Sequence, residues 1–484
     1  MNMAFETLAE HVAASGRRTV SAAVSVAASA GIAAYARGGN AFDAALAACF
    51  VETVALPMKC GLAGDLVALF RERGGPVRAL VSVGGAPAAV DGGPRLERLG
   101  PLSVGVPGAP AGYAALLGLA RLDAAALVQP ALAAARDGVP WTRVGLGYLA
   151  QSRELLARWS PGCVYLAQPD PAPGALLRLP GLAQLLQDFV AHGAALFHGA
   201  QGEQLVQALQ ARGGMLTLQD LRAHAARWCE PVALALAQGG TLVATPAPTQ
   251  GPALLEVVRR LQQAPGLLAS RAQREALQPW DDSALARIVT AVRGEARAAQ
   301  RLAEDGGTSV VTAADEWGNA VVVVHSNSFP RFGSGVVLDS GLVLNNRPGR
   351  GFDPEAAPGA AGAAAAGKVP PTTLQAWALL QPQAHCFGGT PGGVNQLVWN
   401  SQTLASLLAG LPAQRVVVEP RWSLDDQGGF RAEPGVVLDA AGIDAAQVPL
   451  FGNGSVQQIV RIAPDGRVSG YADPRAGGTV LALT

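Results

Sequence analysis

The run Asp305-Gly306-Gly307-Thr308-Ser309-Val310-Val311 joins a polar helical segment to a strand through two glycines and a threonine. A threonine hydroxyl is a weak nucleophile at neutral pH and needs a base within hydrogen-bond reach. If the chain were cut between Gly307 and Thr308, the new α-amine of Thr308, titrating near about pH 8, would be that base. Gly306 and Gly307 give the scissile peptide the backbone freedom that an N-to-O acyl shift demands. On its own, Gly-Gly-Thr ahead of a strand is ordinarily a loop ending in a β-branched residue. Other constellations carry less. His325 lies beside Ser326, but neighbours on a strand face opposite ways, which speaks against a Ser-His pair. His11, His192, His198, His224 and His385 show no HxH or HExxH spacing, so no metal site is expected, and GGNAFD and GLAGD lack the pattern of a phosphate loop. The five cysteines (Cys49, Cys60, Cys163, Cys229, Cys386) form no CxxC and read as free, mostly buried thiols in a reducing compartment.

The elements around this junction follow from pattern. The chain has 484 residues, half of them apolar and 15 % charged, which is ample for a large core and excludes a disordered chain. Basic and acidic residues number 36 each, so the basic excess of a nucleic-acid binder is missing. Only Lys59 and Lys368 are lysines; with the many Ala and Gly residues this reads as a coding bias. The apolar run from Thr19 to Ala36 is rich in Ala, Ser and Gly, marginal for membrane insertion, and reads as a tightly packed buried helix. A cytoplasmic location is expected, with an atypical export signal as the alternative. A helix near Ala41–Leu56 leads through CGLAGD into the strand LVALF, and RERGGP turns into the strand VRALVSV. From about Tyr113 to Leu236 the pattern is mostly helical, with Thr217 placed as an N-cap ahead of Asp220. GPALLEVVRRLQQ is a further helix, and Leu267 to Asp305 is a charged stretch with a helical middle and a solvated face. TSVVTAADEWGNAVVVVHSNSF then reads as two strands joined by a DEWGN turn, and VVLDSGLVLNN as another strand pair. The Ala/Gly/Pro segment from Pro354 to Gly367 has no period of its own, and the chain closes with a hairpin around Asp465-Gly466. The alternation implies sheets with helices outside. Asp43 reads as a cap or buried acceptor, and Asp65 as a turn carboxylate.

Taken in order, the blocks of the chain resemble the γ-glutamyltransferase (γ-glutamyltranspeptidase) family of N-terminal-nucleophile hydrolases, nearly end to end. ARGGNAFDAALAACFVETVALP is similar to the family's RGGNAVDAAVA block, CGLAGDLVALF to its Gly-rich turn and strand, and SVGVPGAPAGYAAL to its VPG-x-x-AG block. GGMLTLQDLRAH, TPAPTQGPALLEVVRRL, FGSGVVLDSGLVLNN, GGTPGG, EPRW and YADPR continue the series. GGTSVVTAADEWGNAV is similar to GGTSHxSVVDxxGNAV, and with Asp315, Gly318 and Asn319 as anchors Thr308 falls on the nucleophile.

The resemblance implies an α+β fold, the four-layer αββα sandwich, made as one precursor and cut by itself. Residues 1–307 would form the large subunit and 308–484 the small one. Thr308 would take an acyl group from a small-molecule amide and pass it to water or an amine, with no cofactor or metal, no membrane and no nucleic acid. Gly392 and Gly393 match the oxyanion-hole glycines, and two side-chain-free N–H groups in sequence can point at one oxyanion. Thr372 and Thr373 match the Ser-Ser pair on the substrate carboxylate. Ser326 and Asn327 fall at the Thr-x-Asn or Ser-Asn substrate position, one residue farther from Phe332 than the pattern implies.

The departures concern the substrate. A γ-glutamyl group, as in glutathione-like amides, carries a carboxylate and an ammonium. Val83 and Gly84 stand where the family's carboxylate-binding Arg and its neighbouring Glu would be. Asn345-Asn346 is followed by Arg347 and Arg350, where acids or amides would meet the ammonium. Cations there repel it. The expectation is an acyl group lacking the ammonium, glutaryl- or oxamate-like. An uncut relative acting as a binding protein is the reading from another class. Val310 replaces a His usually second after the nucleophile, which bears on the rate of maturation.

Overall fold

Strands Gly307–Asp315 and Ala320–Ser328 form an antiparallel hairpin buried along its whole length. The structure is a computed structural model and describes residues 10–273, 278–297, 307–425, 427–438 and 442–484. Runs of Val, Ala and Thr suit a strand covered on both faces, where side chains alternate between two apolar layers. Val311, Ala313, Val321 and Val323 face helices Ser25–Ala36 and Ala41–Ala55, while Val310, Ala314, Val322 and Val324 face a second sheet through Ala378, Phe387 and Val460. The turn between the strands is built by Asp315. Its carboxylate accepts the N–H groups of Trp317 and Asn319, and Gly318 takes φ 82°. Asp315 also accepts the Ala41 N–H at 2.8 Å, which pins the turn to the start of the helix behind it. Burial pushes the Asp315 carboxyl up, against the pull of these donors.

The first seven-stranded sheet runs Thr479–Leu483, Arg18–Ala22, Gly307–Asp315, Ala320–Ser328, Asp65–Arg71, Val77–Ser82, Arg227–Cys229. The second runs Ala13–Gly16, Val468–Ala472, Gln458–Ile462, Ala384–Gly389, Trp377–Gln381, Thr241–Ala244, Val232–Ala235. Every pairing in both is antiparallel. Helices Gly251–Gln262, Ser283–Arg297 and Asn395–Leu408 cover the second sheet, which completes four layers, αββα.

Asn40 and Asp43 form a capping box at helix Ala41–Ala55, and Asp43 also accepts the N–H groups of Arg121 and Leu122, so it is a buried structural acceptor as expected. Thr217 caps its helix with Asp220. The hairpin around Asp465-Gly466 is present. Three expectations change. The apolar run Thr19–Ala36 divides: Arg18–Ala22 is a strand and only Ser25–Ala36 is helical, because the first part pairs with Gly307–Asp315 and Thr479–Leu483. The helical middle ends early, since Arg227–Cys229 and Val232–Ala235 are edge strands of the two sheets. VVLDSGLVLNN folds back on itself through Leu338 N–H to Leu342 and Leu344 N–H to Val336, but this makes only one bridge, Val337 to Val343, because the Val337 N–H goes to Ser160 and the Leu344 carbonyl also accepts from Ser334. In the charged stretch, Pro265–Gln273 and Ser283–Arg297 are helices; Asp305 and Gly306 lie outside the described residues. Among the described residues no helix is long and apolar enough to cross a membrane. Cys49, Cys60 and Cys386 are buried thiols, and Cys163 and Cys229 are partly buried.

Candidate active site

Thr308 sits at the start of its strand on the face turned toward the second sheet, at the polar end of the inter-sheet core. Opposite it the hairpin carries a bulge. Gly307 pairs with Ser328 and Thr308 with Ser326, so Asn327 is the extra residue. The bulge absorbs the one-residue surplus before Phe332, and Ser328 and Phe332 take positive φ of 75° and 65°. Its effect is to aim the Ser326 hydroxyl at the Gly307–Thr308 peptide. Ser326 Oγ lies 3.0 Å from Thr308 Oγ1 and 2.5 Å from the Gly307 carbonyl oxygen. A carbonyl only accepts, so the Ser326 proton goes to Gly307 and the Thr308 hydroxyl donates to Ser326. The Ser328 N–H donates to the same oxygen at 2.9 Å. Thr308 is 2 % exposed in the uncut chain. The Asn327 side chain turns away and donates to the Pro57 carbonyl.

His325, one residue back, faces the helices as strand alternation requires. It bridges Glu52 at 2.8 Å and Tyr113 at 2.7 Å, all fully buried, and takes no part with Ser326. Glu52, Cys60 and His325 are close enough together to hold a metal ion, although each already has a partner within the protein.

The second sheet supplies the other wall. Gly389 approaches the Val310 side chain, two residues beyond Thr308, and the chain then turns through Gly392 and Gly393 into helix Asn395–Leu408. Gly392 has φ 133°, and a Cβ there would lie 2.2 Å from the Trp399 ring, so only glycine fits. The carbonyls of Gly392 and Gly393 accept the N–H groups of Asn395 and Gln396, whereas their own N–H groups have no partner among the described residues. Two free N–H groups at the start of a four-turn helix form a site for a developing negative charge. Thr373 Oγ1 accepts from Gln396 Nε2 at 3.3 Å, and the Thr372 N–H donates to Pro248. Both threonines are therefore held beside the glycine turn.

The third wall is the segment after Asn345-Asn346. Asn345 donates to Ala63 and Gly105, and Asn346 to Phe329 and Arg98, which ties the segment to the loops around it. Arg347 is 2 % exposed and its Nε meets Asp65 Oδ2 at 2.7 Å. The other oxygen of Asp65 accepts the Gly84 N–H at 2.9 Å. Asp65, expected as a turn carboxylate, is thus the counter-ion of Arg347 and fixes it beside Gly84. A Cβ at Gly84 would fall 1.7 Å from the Val106 carbonyl, so no side chain is possible there, and Val83 is buried in the inter-sheet core. Arg347 keeps one donor, Nη2, with no partner. Arg350 is also buried; its Nε donates to the Phe329 carbonyl, and its guanidinium carbon lies 5.5 Å from that ring's centroid. Further buried polar atoms without a partner lie in the same segments: Ser309 Oγ, Ser328 Oγ, Asn346 Oδ1, Gln396 Oε1 and both side-chain atoms of Gln375. By contrast, the 470 Å³ surface cavity lined by Leu185, Phe197, Leu205 and Leu338 holds none of the predicted site residues.

Sequence reasoning missed the Asp65–Arg347 pair, which joins segments 282 residues apart, and the contact of Ser326 with the Gly307 carbonyl, which depends on the bulge at Asn327.

Residues 27–293 and 280–483 match the gamma-glutamyltranspeptidase family. The oxamate amidohydrolase proenzyme of Klebsiella pneumoniae is 31 % identical, over 91 % of this chain and 94 % of its own. The acylase ACY 1 proenzyme of Pseudomonas sp. strain SE83 is 28 % identical, over 92 % of this chain and 90 % of its own. The crystal structure of cephalosporin acylase from Bacillus halodurans superposes with a TM-score of 0.81 at 25 % identity, covering 98 % of this chain and 97 % of that one. The chain belongs to the gamma-glutamyltranspeptidase family and is an N-terminal-nucleophile amide hydrolase made as a proenzyme.

Proposed function

We propose that the chain cuts itself between Gly307 and Thr308 and then hydrolyses amides of short acids that carry a carboxylate and lack the ammonium of a γ-glutamyl group. In maturation the Thr308 oxygen adds to the Gly307 carbonyl carbon. The Thr308 proton passes to Ser326, and the Ser326 proton passes to the Gly307 oxygen, along the two hydrogen bonds already in place. Collapse of this adduct breaks the C–N bond, frees the Thr308 amine and leaves Gly307 as an ester on Thr308 Oγ1. Water then releases the Gly307 carboxylate. In turnover the free amine takes the Thr308 hydroxyl proton and returns it to the departing amine of the substrate. The Gly392 and Gly393 N–H groups stabilise the oxyanion, a contribution of about 3–4 kcal/mol per donor in comparable sites. Water then hydrolyses the acyl-enzyme.

The observation that carries the substrate reading is the free Nη2 of Arg347. A buried guanidinium already neutralised by Asp65 still has its Nη2 without an acceptor, and a substrate carboxylate oxygen supplies one. Asp65 also sets this cation beside Gly84, next to the position of the missing family arginine. Arg350 on the same segment opposes an ammonium; two like charges about 4 Å apart repel by about 4 kcal/mol at an effective dielectric of about 20. Oxamate, the amide in the name of the Klebsiella relative, carries a carboxylate and no ammonium and is consistent with this class. The test compares oxamate, glutaryl-anilide and γ-glutamyl-anilide with the purified protein. At least one of the first two is expected to exceed the γ-glutamyl compound in kcat/KM by tenfold or more. A preference for γ-glutamyl-anilide contradicts the roles given to Arg347 and Arg350.

A further inference from the structure

Lys59 is one of two lysines in the chain and is 3 % exposed. Its backbone lies against the scissile residue: a Cβ on Gly307 would be 2.7 Å from the Met58 carbonyl oxygen and 3.4 Å from Lys59 Cα. Its carbonyl accepts the N–H of the bulged Asn327 at 2.8 Å, and the Met58 carbonyl accepts that of Phe332. The turn at Met58-Lys59 is therefore clamped to the loop that shapes the nucleophile, and the Lys59 side chain starts within one residue's width of the bond to be cut.

A buried ammonium normally has a carboxylate or several carbonyls around it, since an uncompensated charge out of water is costly. Lys59 has neither among the described residues. The contact of its Nζ is the ring of Tyr148, 5.2 Å from the centroid, on helix Arg143–Trp159. The guanidinium of Arg331 covers the same ring at 3.8 Å and donates to Gln151. Arg331 has further partners of its own; for Lys59 the described residues supply no anion, unlike Arg347, whose charge is answered by Asp65.

We propose that Lys59, positioned by Tyr148, is a second carboxylate-binding residue, set against the Gly307 position and separate from the donor that Arg347 offers. The proposal rests on the reading of Thr308 as nucleophile. Two sources supply a carboxylate there. One is the Gly307 carboxylate that the cut itself creates, and the other is a carboxylate on the amine half of the substrate.

The experiment uses the protein as purified. Intact mass first shows whether it has been cut; an uncut chain is a failure of the nucleophile reading and is visible before any other step. On the cut protein, a water-soluble carbodiimide joins an ammonium and a carboxylate in contact with loss of one water. A peptide linking Lys59 Nζ to the Gly307 carboxyl assigns the chain's own terminus as the ligand. In parallel, the oxalyl amides of glycine and of methylamine are compared. If the ligand is a substrate carboxylate, the glycine amide has a KM about tenfold lower, the ratio falls to about one in Lys59→Met, and Lys59→Arg restores it. Both results support the subsite. Absence of the cross-link, together with a KM ratio that is the same in wild type and Lys59→Met, overturns it. The cross-link arm needs no variant and stands even if Lys59→Met fails to fold.

Discussion

The buried arginines at Arg475 and at Arg347 differ in one respect. Arg475, in the closing YADPR motif, spends every donor. Its Nε and Nη2 meet Glu433, its Nη1 meets Asp473, and carbonyls of Val417 and Glu419 take the remaining contacts. Burial works against its charge, yet Asp473 and Glu433 outweigh burial and hold its pKa up. Arg421 of EPRW sits beside it, and there burial and the neighbouring Arg475 push the pKa down to about 10. Arg347, by contrast, has one carboxylate on its Nε, and its Nη2 has no acceptor. A closed network of the Arg475 kind holds loops together. Under the proposed function the open Nη2 of Arg347 receives a substrate carboxylate; an open donor does not by itself mark recognition, since Arg421 Nε, beside Arg475, also has no hydrogen-bond partner.

Substitution breaks this comparison in opposite directions. Arg475→Leu strands Asp473 and Glu433 without a cation, and is expected to cost about 3–5 kcal/mol of folding stability, read by denaturant melts. A loss under about 1 kcal/mol would mean that the cluster is not structural. Arg347→Lys keeps the charge for Asp65 but removes the forked donor. It should melt close to wild type and lower kcat/KM for a carboxylate-bearing amide by about 10- to 100-fold, the worth of one charged hydrogen bond. Equal kcat/KM would remove Arg347 from recognition.

A smaller effect tests the surroundings of Asp65. His224 donates to or accepts from Ser82 Oγ at 3.1 Å, and burial lowers its pKa below the usual 6.5, with Arg227 and His198 adding to the effect and Asp65 opposing it. Above about pH 6.5 it is neutral whether folded or unfolded, so its contribution is whole. As the pH falls below that value the unfolded chain binds the proton first, and stability is lost. His224→Gln should therefore flatten the fall in melting temperature below pH 6.5; an unchanged slope would assign that fall to other groups, His385 among them, whose pKa burial also lowers.

The hairpin bearing Thr308 was legible in the sequence because its strands are β-branched and its turn is Asp-x-x-Gly-Asn, local features that need no partner. Gly392-Gly393 and the four layers were legible through resemblance to the family. Val336–Leu344 pairs antiparallel as its alternation implies, but only through one bridge, because Ser160 takes the Val337 N–H, which no local pattern announces. Thr19–Ala22 was read as helix because Ala-rich apolar residues fit either state; pairing with the nucleophile strand decides it. Arg347 and Arg350 stand out as departures, but that both are buried depends on Asp65, 282 residues from Arg347, and on Phe329, 21 residues from Arg350.

The central claim is that Thr308 becomes an N-terminal nucleophile, and the intact mass of the denatured protein tests it most directly. The account predicts two chains of about 31 and about 18 kDa, in proportion to 307 and 177 residues, with Thr308 first in the smaller, and a single chain for Thr308→Ala. A wild-type chain that stays at 49.2 kDa through days of incubation would leave Thr308 without its amine base and contradict the mechanism.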